Sequence, residues 1–201
     1  MKIAIYGATG MIGSNVTKEA VDRGHQVTAL SRTGTSLNGA FGTHADLSDL
    51  ATFAEVAAAH DVIVIASGPS RTGEPHSIVI DAHKAIIDSA PDARILVVGG
   101  AGSLFIADGV RLKDAEGFPE MYKPEAETMT TILEAYEAST GIDWTVISPA
   151  PMIAPGERTG AYTIALDNPA GESISSEDFA IAVVDEIEVP ANIGRRFTVA
   201  S

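Results

Sequence analysis

KIAIYGATGMIG, residues 2–13, opens with a short apolar run, passes through glycines at 7, 10 and 13, and enters a helical pattern. That pattern runs from Met11 to Arg23, with Ile12, Val16, Ala20 and Val21 on one face, until Gly24 stops it. A strand, a glycine turn and a helix in this order have a physical use. Gly7 permits the tight turn, Gly10 lets backbone approach a ligand, and Gly13 allows the helix to pack closely on the strand, while the helix N-terminus directs amides and positive dipole at an anion. The context on both sides of the glycines points to the diphosphate of a dinucleotide, held by Gly7, Thr9, Gly10, Met11, Ile12 and Gly13. The plainer alternative is a glycine turn that only shapes the backbone.

Working outward, Gln26 to Leu30 reads as a second strand, Ala40 to His44 as a weak third, and Leu50 to Ala59 as an alanine-rich helix. Asp61 to Ala66 and Arg94 to Val98 are continuous β-branched runs, as expected of strands covered on both faces, with helical periodicity between them from Ile78 to Ala90. A loop-rich stretch, Gly99 to Pro119, precedes a helix from about Pro124 to Ser139 and a strand from Asp143 to Ser148. Such alternation predicts an α/β fold: a doubly wound parallel sheet between two helical layers, a Rossmann fold. Residues 149–190 break the pattern with Pro149, Pro151, Pro155 and Gly156, and predict a small loop-dominated cap that contains a strand-like run from Ala161 to Leu166. A helix follows from Ser176 to Glu188, with Ser175 and Asp178 at capping-box spacing, and Arg196 to Ala200 is positioned to close the sheet. At 201 residues and 45% hydrophobic, the chain is predicted to be one domain.

A formal charge of −14 argues against nucleic acid and anionic membranes as partners, since both require dense Lys/Arg patches. There is no cysteine, which removes thiolate metal sites and a cysteine nucleophile, and the five histidines lack metal-ligand spacing. The N-terminus has no signal-peptide pattern and no apolar run reaches bilayer length, so the reading is cytoplasmic, with a small molecule as partner and a monomer or weak homo-oligomer as the assembly.

Ser31 and Arg32 follow the second strand, where an NAD enzyme commonly places an acid on the ribose hydroxyls; an arginine there favours NADP(H) over NAD(H), unless it is merely an exposed charge. Asp46 and Leu47, after the third strand, resemble the adenine-contact dipeptide usual in short-chain dehydrogenase/reductases, with a helix cap as the alternative at Asp46. Ala66, Ser67 and Gly68 leave the fourth strand at the expected ribose position, and Gly100, Pro149 and Ala150 leave later strands toward the nicotinamide. The glycine spacing resembles that of the short-chain dehydrogenase/reductase superfamily, whose carbonyl-reducing members usually carry a serine and a tyrosine with a lysine four residues on. Tyr122 has Ala126 at that place and Lys123 beside it, so Tyr122 reads first as a wall or packing residue and only second as a catalytic candidate. Ser103, in the GGAGS loop, is the other candidate, as a hydroxyl donor or an ordinary turn serine. Hydride transfer to a flat conjugated acceptor needs mainly orientation of two rings, which suits a site without the tyrosine acid.

The segments KIAIYGATGMIG, GGAGS, GIDWTVISPA, PGERTGAYT and SISSEDFA together resemble the bacterial NADH-flavin reductase family, atypical short-chain dehydrogenase/reductases, and more distantly biliverdin-IXβ reductase. The resemblance spans essentially the whole chain. It implies a flavin as substrate rather than as tightly bound cofactor. Where biliverdin-reducing relatives carry a hydroxyl residue just after the fifth strand, this chain has glycine, which counts against biliverdin as acceptor. Met152 and Ile153 are expected as an apolar floor of the substrate pocket. Arg158 and Thr159 are expected to meet an anionic substrate, although a salt bridge from Arg158 to a neighbouring carboxylate serves as well. Two rival functions are a non-catalytic NADP(H) sensor and, more remotely, a sugar-nucleotide epimerase or dehydratase, which needs the tyrosine–lysine pair.

Overall fold

The computed structural model describes residues 1–201. In chain order the elements are β1 (Lys2–Tyr6), α1 (Met11–Asp22), β2 (Gln26–Ser31), β3 (Phe41–His44), α2 (Leu50–Ala59), β4 (Val62–Ile65), α3 (Ser77–Ser89), β5 (Arg94–Val98), β6 (Phe105–Ala107), β7 (Val110–Arg111), α4 (Lys123–Glu137), β8 (Trp144–Pro149), β9 (Met152–Ala154), β10 (Thr163–Ala165), β11 (Ser173–Ser175), α5 (Ser176–Glu188) and β12 (Arg195–Ala200). The main sheet has the order β10-β12-β8-β5-β4-β1-β2-β3, and every pairing in it is parallel except the antiparallel β10–β12 edge.

The β-branched runs explain the layering. Along β1, β4 and β5 alternate side chains leave opposite faces, and both sets are apolar. Ile3, Ile5, Val62, Val64 and Leu96 meet α1 and α5, while Ala4, Ile63, Ile65, Ile95 and Val97 meet α2, α3 and α4. Ten of the thirteen residues of α5 are buried, among them Phe179 with no exposure. Removing a buried phenylalanine of that kind costs about 3–5 kcal/mol. No helix is long and apolar enough to cross a membrane.

Two expectations change in the last quarter. The stretch from 149 to 175 is less loop-dominated than its prolines suggest: β9 and β11 form their own parallel pair, Met152 opposite Ser173, and β10 joins the main sheet. Consequently β10 takes the outer position and β12 lies inside it, between β10 and β8. The residues from 99 to 119 likewise contain the β6–β7 hairpin as well as turns.

Candidate functional site

β1 is flanked by β2 on one side and β4 on the other, so the chain reverses its direction of travel across the sheet between them. A crevice at the carboxyl ends of such strands is where open α/β sheets bind ligands. Gly7 stands at this point with a φ of 75°, and its amide and that of Ala8 both donate to the Leu30 carbonyl at 3.1 and 3.2 Å, which ties the turn to the end of β2. A Cβ on Gly7 would lie 2.8 Å from the Ala66 carbonyl and the Ser67 nitrogen, and one on Gly13 only 2.2 Å from the Gly7 oxygen. These two glycines therefore exist for close backbone approach. Gly10 differs: a Cβ there would meet only the Gly7 oxygen, at 3.3 Å.

Gly10 caps α1 in extended conformation, the first intrahelical bond runs from the Ser14 amide to the Gly10 carbonyl, and the first turn holds no acid. The amides of Met11, Ile12 and Gly13 have no acceptor in the chain, as helix geometry requires of a first turn. Across the turn lie Ala66, Ser67 and Gly68; the Ser67 hydroxyl is buried without a partner. An orphaned hydroxyl beside unpaired amides fits a polar, anionic dinucleotide.

At the end of β2, Ser31 is buried and accepts from the Gly34 amide, and the hydroxyls of Ser31, Thr33 and Thr35 follow one another at 3.3 and 2.8 Å. Arg32 projects outward, 76% exposed, with Glu74 of the β4–α3 loop 3.9 Å from its guanidinium. Asp46 accepts from the amide and hydroxyl of Ser48, and those bonds, with Arg32 and His44 further off, hold its carboxyl below the usual range against its own burial. The helix cap belongs to Asp49, which accepts from the Thr52 amide, rather than to Asp46. Leu47 is buried beside Tyr6 and Phe53 in the same apolar cluster. At the other end of the crevice, Gly100 rests near Met129, Pro149 ends β8, and Ala150 is wholly buried.

Ser103 and Thr159 are used differently from the ligand roles expected of them, while Arg158 takes the salt bridge that is its alternative. Ser103 is 4% exposed, and its hydroxyl accepts from Arg196, whose guanidinium also binds Asp167 at 2.6 Å; it is a buried fastening between the β5 loop and the cap rather than a free donor on a pocket wall. Arg158 forms a two-point bond with Glu19 of α1, at 3.0 and 2.8 Å, and this bond is the main reason the Glu19 carboxyl is lowered. Thr159 donates its amide and hydroxyl to Asp178 at 2.9 and 2.6 Å. The conspicuous GERTG segment thus latches the cap to α1 and α5, and sequence separation hid its partners. Tyr122 is exposed and its hydroxyl bonds nothing, while Lys123 is engaged with Glu120.

The exposed large apolar residues include Met11, Ile78, Met121, Tyr122 and Met152. Each sits at the start of a helix or just beyond the carboxyl end of β8, which places all five at the crevice end of the sheet. Ile153 packs against the α1/α5 core instead. The sequence patterns also miss the loop from 67 to 75, which is strapped across the top of α4. Arg71 makes a two-point bond to Glu125, and His76 bridges the Ser70 carbonyl and Thr128. No local periodicity marks those residues, because each finds its partner on another element.

A doubly wound parallel sheet with a glycine turn and unpaired helix amides at its switch point is the arrangement of a dinucleotide-binding Rossmann fold. The NAD(P)H-binding family pattern matches residues 7–190. The chain belongs to the NAD(P)H-binding family. It is similar to the uncharacterized protein YwnB of Bacillus subtilis, 40% identical over 212 residues and covering 100% of this chain and 99% of that one. Among solved structures, a "putative exported protein" of Burkholderia pseudomallei is 44% identical with a TM-score of 0.89, covering 100% of both chains. A "putative NADH-flavin reductase" of Streptococcus pneumoniae is 32% identical with a TM-score of 0.83, covering 100% of this chain and 99% of the other.

Proposed function

We propose that the protein is an NADPH-dependent reductase whose acceptor is a flat conjugated molecule, free flavin first. The observation that carries this reading is the glycine turn with unpaired helix amides at the switch point, with exposed Met11, Ile78, Met121, Tyr122 and Met152 at the same end of the sheet. Met11, Ile12 and Gly13 hold the diphosphate through their amides, Arg32 meets the 2′-phosphate, Leu47 and Ala66 border the adenosine, and the chain leaving β8 runs behind the nicotinamide end with Pro149 and Ala150 buried beneath it. The nicotinamide, when bound, supplies hydride. The exposed apolar residues align the acceptor's ring against the nicotinamide, and with no tyrosine–lysine acid taking part the proton comes from solvent at the open side of the crevice. The name of the pneumococcal relative agrees with this choice of acceptor.

A second reading, a sensor that binds NADP(H) without reacting, draws on one observation: the Ser103 hydroxyl is held by Arg196 and the Tyr122 hydroxyl has no partner to tune it. NADPH oxidation followed with saturating FMN or FAD separates the two. Turnover supports the reductase, tight NADPH binding without turnover supports the sensor, and absence of binding removes both. Arg32→Glu is expected to weaken NADPH at least about tenfold and NADH little. Equal loss of both nucleotides contradicts the role given to Arg32.

A further inference from the structure

We infer that Glu74 limits the preference for NADPH over NADH by opposing, at Arg32, the phosphate that Arg32 attracts; the inference rests on the cofactor reading above. Arg32 is not a lone cation. Its guanidinium stands 3.9 Å from the Glu74 carboxylate, and Asp46, fastened by Ser48, also lies within electrostatic reach. One positive and two negative charges leave the neighbourhood net negative before any nucleotide arrives.

The Arg32–Glu74 pair is exposed on both sides, so in itself it contributes little to stability. Its consequence is for a third charge. A 2′-phosphate carries between one and two negative charges near neutral pH. To reach Arg32 it must displace the Glu74 carboxylate or sit beside it. The unphosphorylated ribose of NADH brings no such charge and leaves the pair intact.

The carboxylate is also carried on anchored backbone. The Glu74 amide donates to the Ser70 hydroxyl at 3.3 Å, the Ser70 carbonyl is bonded by His76, and Arg71 grips Glu125. Those bonds fix the loop backbone from which the Glu74 side chain reaches Arg32. Like charges about 5 Å apart in water, partly screened, correspond to a three- to tenfold change in affinity.

The test is calorimetric titration of NADPH and NADH into the wild-type protein, Glu74→Gln and Glu74→Ala. Both variants are expected to bind NADPH about three- to tenfold more tightly and NADH within about twofold of wild type. The gain should shrink between roughly 0.05 and 0.5 M salt, as a charge effect does and a purely structural one does not. An unchanged ratio of the two affinities in both variants, or weaker NADPH binding, overturns the inference while leaving the cofactor site in place. Binding of neither nucleotide to the wild type overturns the cofactor reading itself, and this inference with it.

Discussion

Gly10 and Gly13 are three positions apart in one motif, yet the structure gives them different duties. A methyl on Gly13 collides with the Gly7 carbonyl at 2.2 Å, backbone against backbone, so Gly13→Ala must open the turn. A methyl on Gly10 finds a tight but tolerable 3.3 Å and otherwise points where an anion approaches. Thermal melts and nucleotide titrations of the two variants should therefore part company. Gly10→Ala is expected to keep its melting temperature within a few degrees while losing at least about tenfold in NADPH affinity, and Gly13→Ala to lose both. A Gly10→Ala protein that binds as wild type would refute the diphosphate assignment. At this scale the glycines were legible because their reason is local. For Arg158 the sequence allowed a salt bridge as well as an anionic substrate, and only the structure names Glu19, far away in sequence on α1, as the partner.

Between elements, α3, α4 and the sheet are joined through His83, Tyr136 and Trp144. His83 Nδ1 lies 3.0 Å from the Tyr136 hydroxyl, and the Tyr136 ring packs at 5.6 Å from that of Trp144. Burial holds the imidazole neutral and brings its pKa down from 6.5 to about 4. Between those values the unfolded chain takes up a proton that the folded one refuses, so stability is complete above pH 6.5 and falls as pH drops toward 4, by up to about 3 kcal/mol. Chemical denaturation at pH 7 and pH 4.5 should show a smaller difference in His83→Gln, which keeps a polar group toward Tyr136 and removes the titration. An equal difference would place the pH sensitivity elsewhere. The predicted helix start at Ser175 agrees with the structure, its hydroxyl accepting from the Asp178 amide at 3.0 Å, because a cap is a contact across three residues. The β10–β12 pairing, Thr163 opposite Ala200, joins residues with a whole helix between them, and no pattern within either strand announces it.

For the whole molecule the dominant fact is a formal charge of −14 on 201 residues. Self-repulsion of that size opposes compactness and is screened by salt. The melting temperature is expected to rise by a few degrees between roughly 0.02 and 0.3 M sodium chloride. A fall would mean that ion-pair networks such as Arg23 with Glu19, Asp185 and Glu188 outweigh the net repulsion. The same acidity is why the proposed cofactor site relies on directed amides and Arg32 and not on a broad basic surface.

By itself the sequence determined the α/β layering and the glycine turn at the first strand, since apolar periodicity and a glycine's missing Cβ act over a few residues. Only the tertiary structure decided that Arg158 and Ser103 are fasteners, that β10 takes the sheet edge, and that Glu74 faces Arg32. Charges and hydroxyls pair with whatever the folded chain brings within a few ångströms, and that distance is set by packing, not by position along the chain.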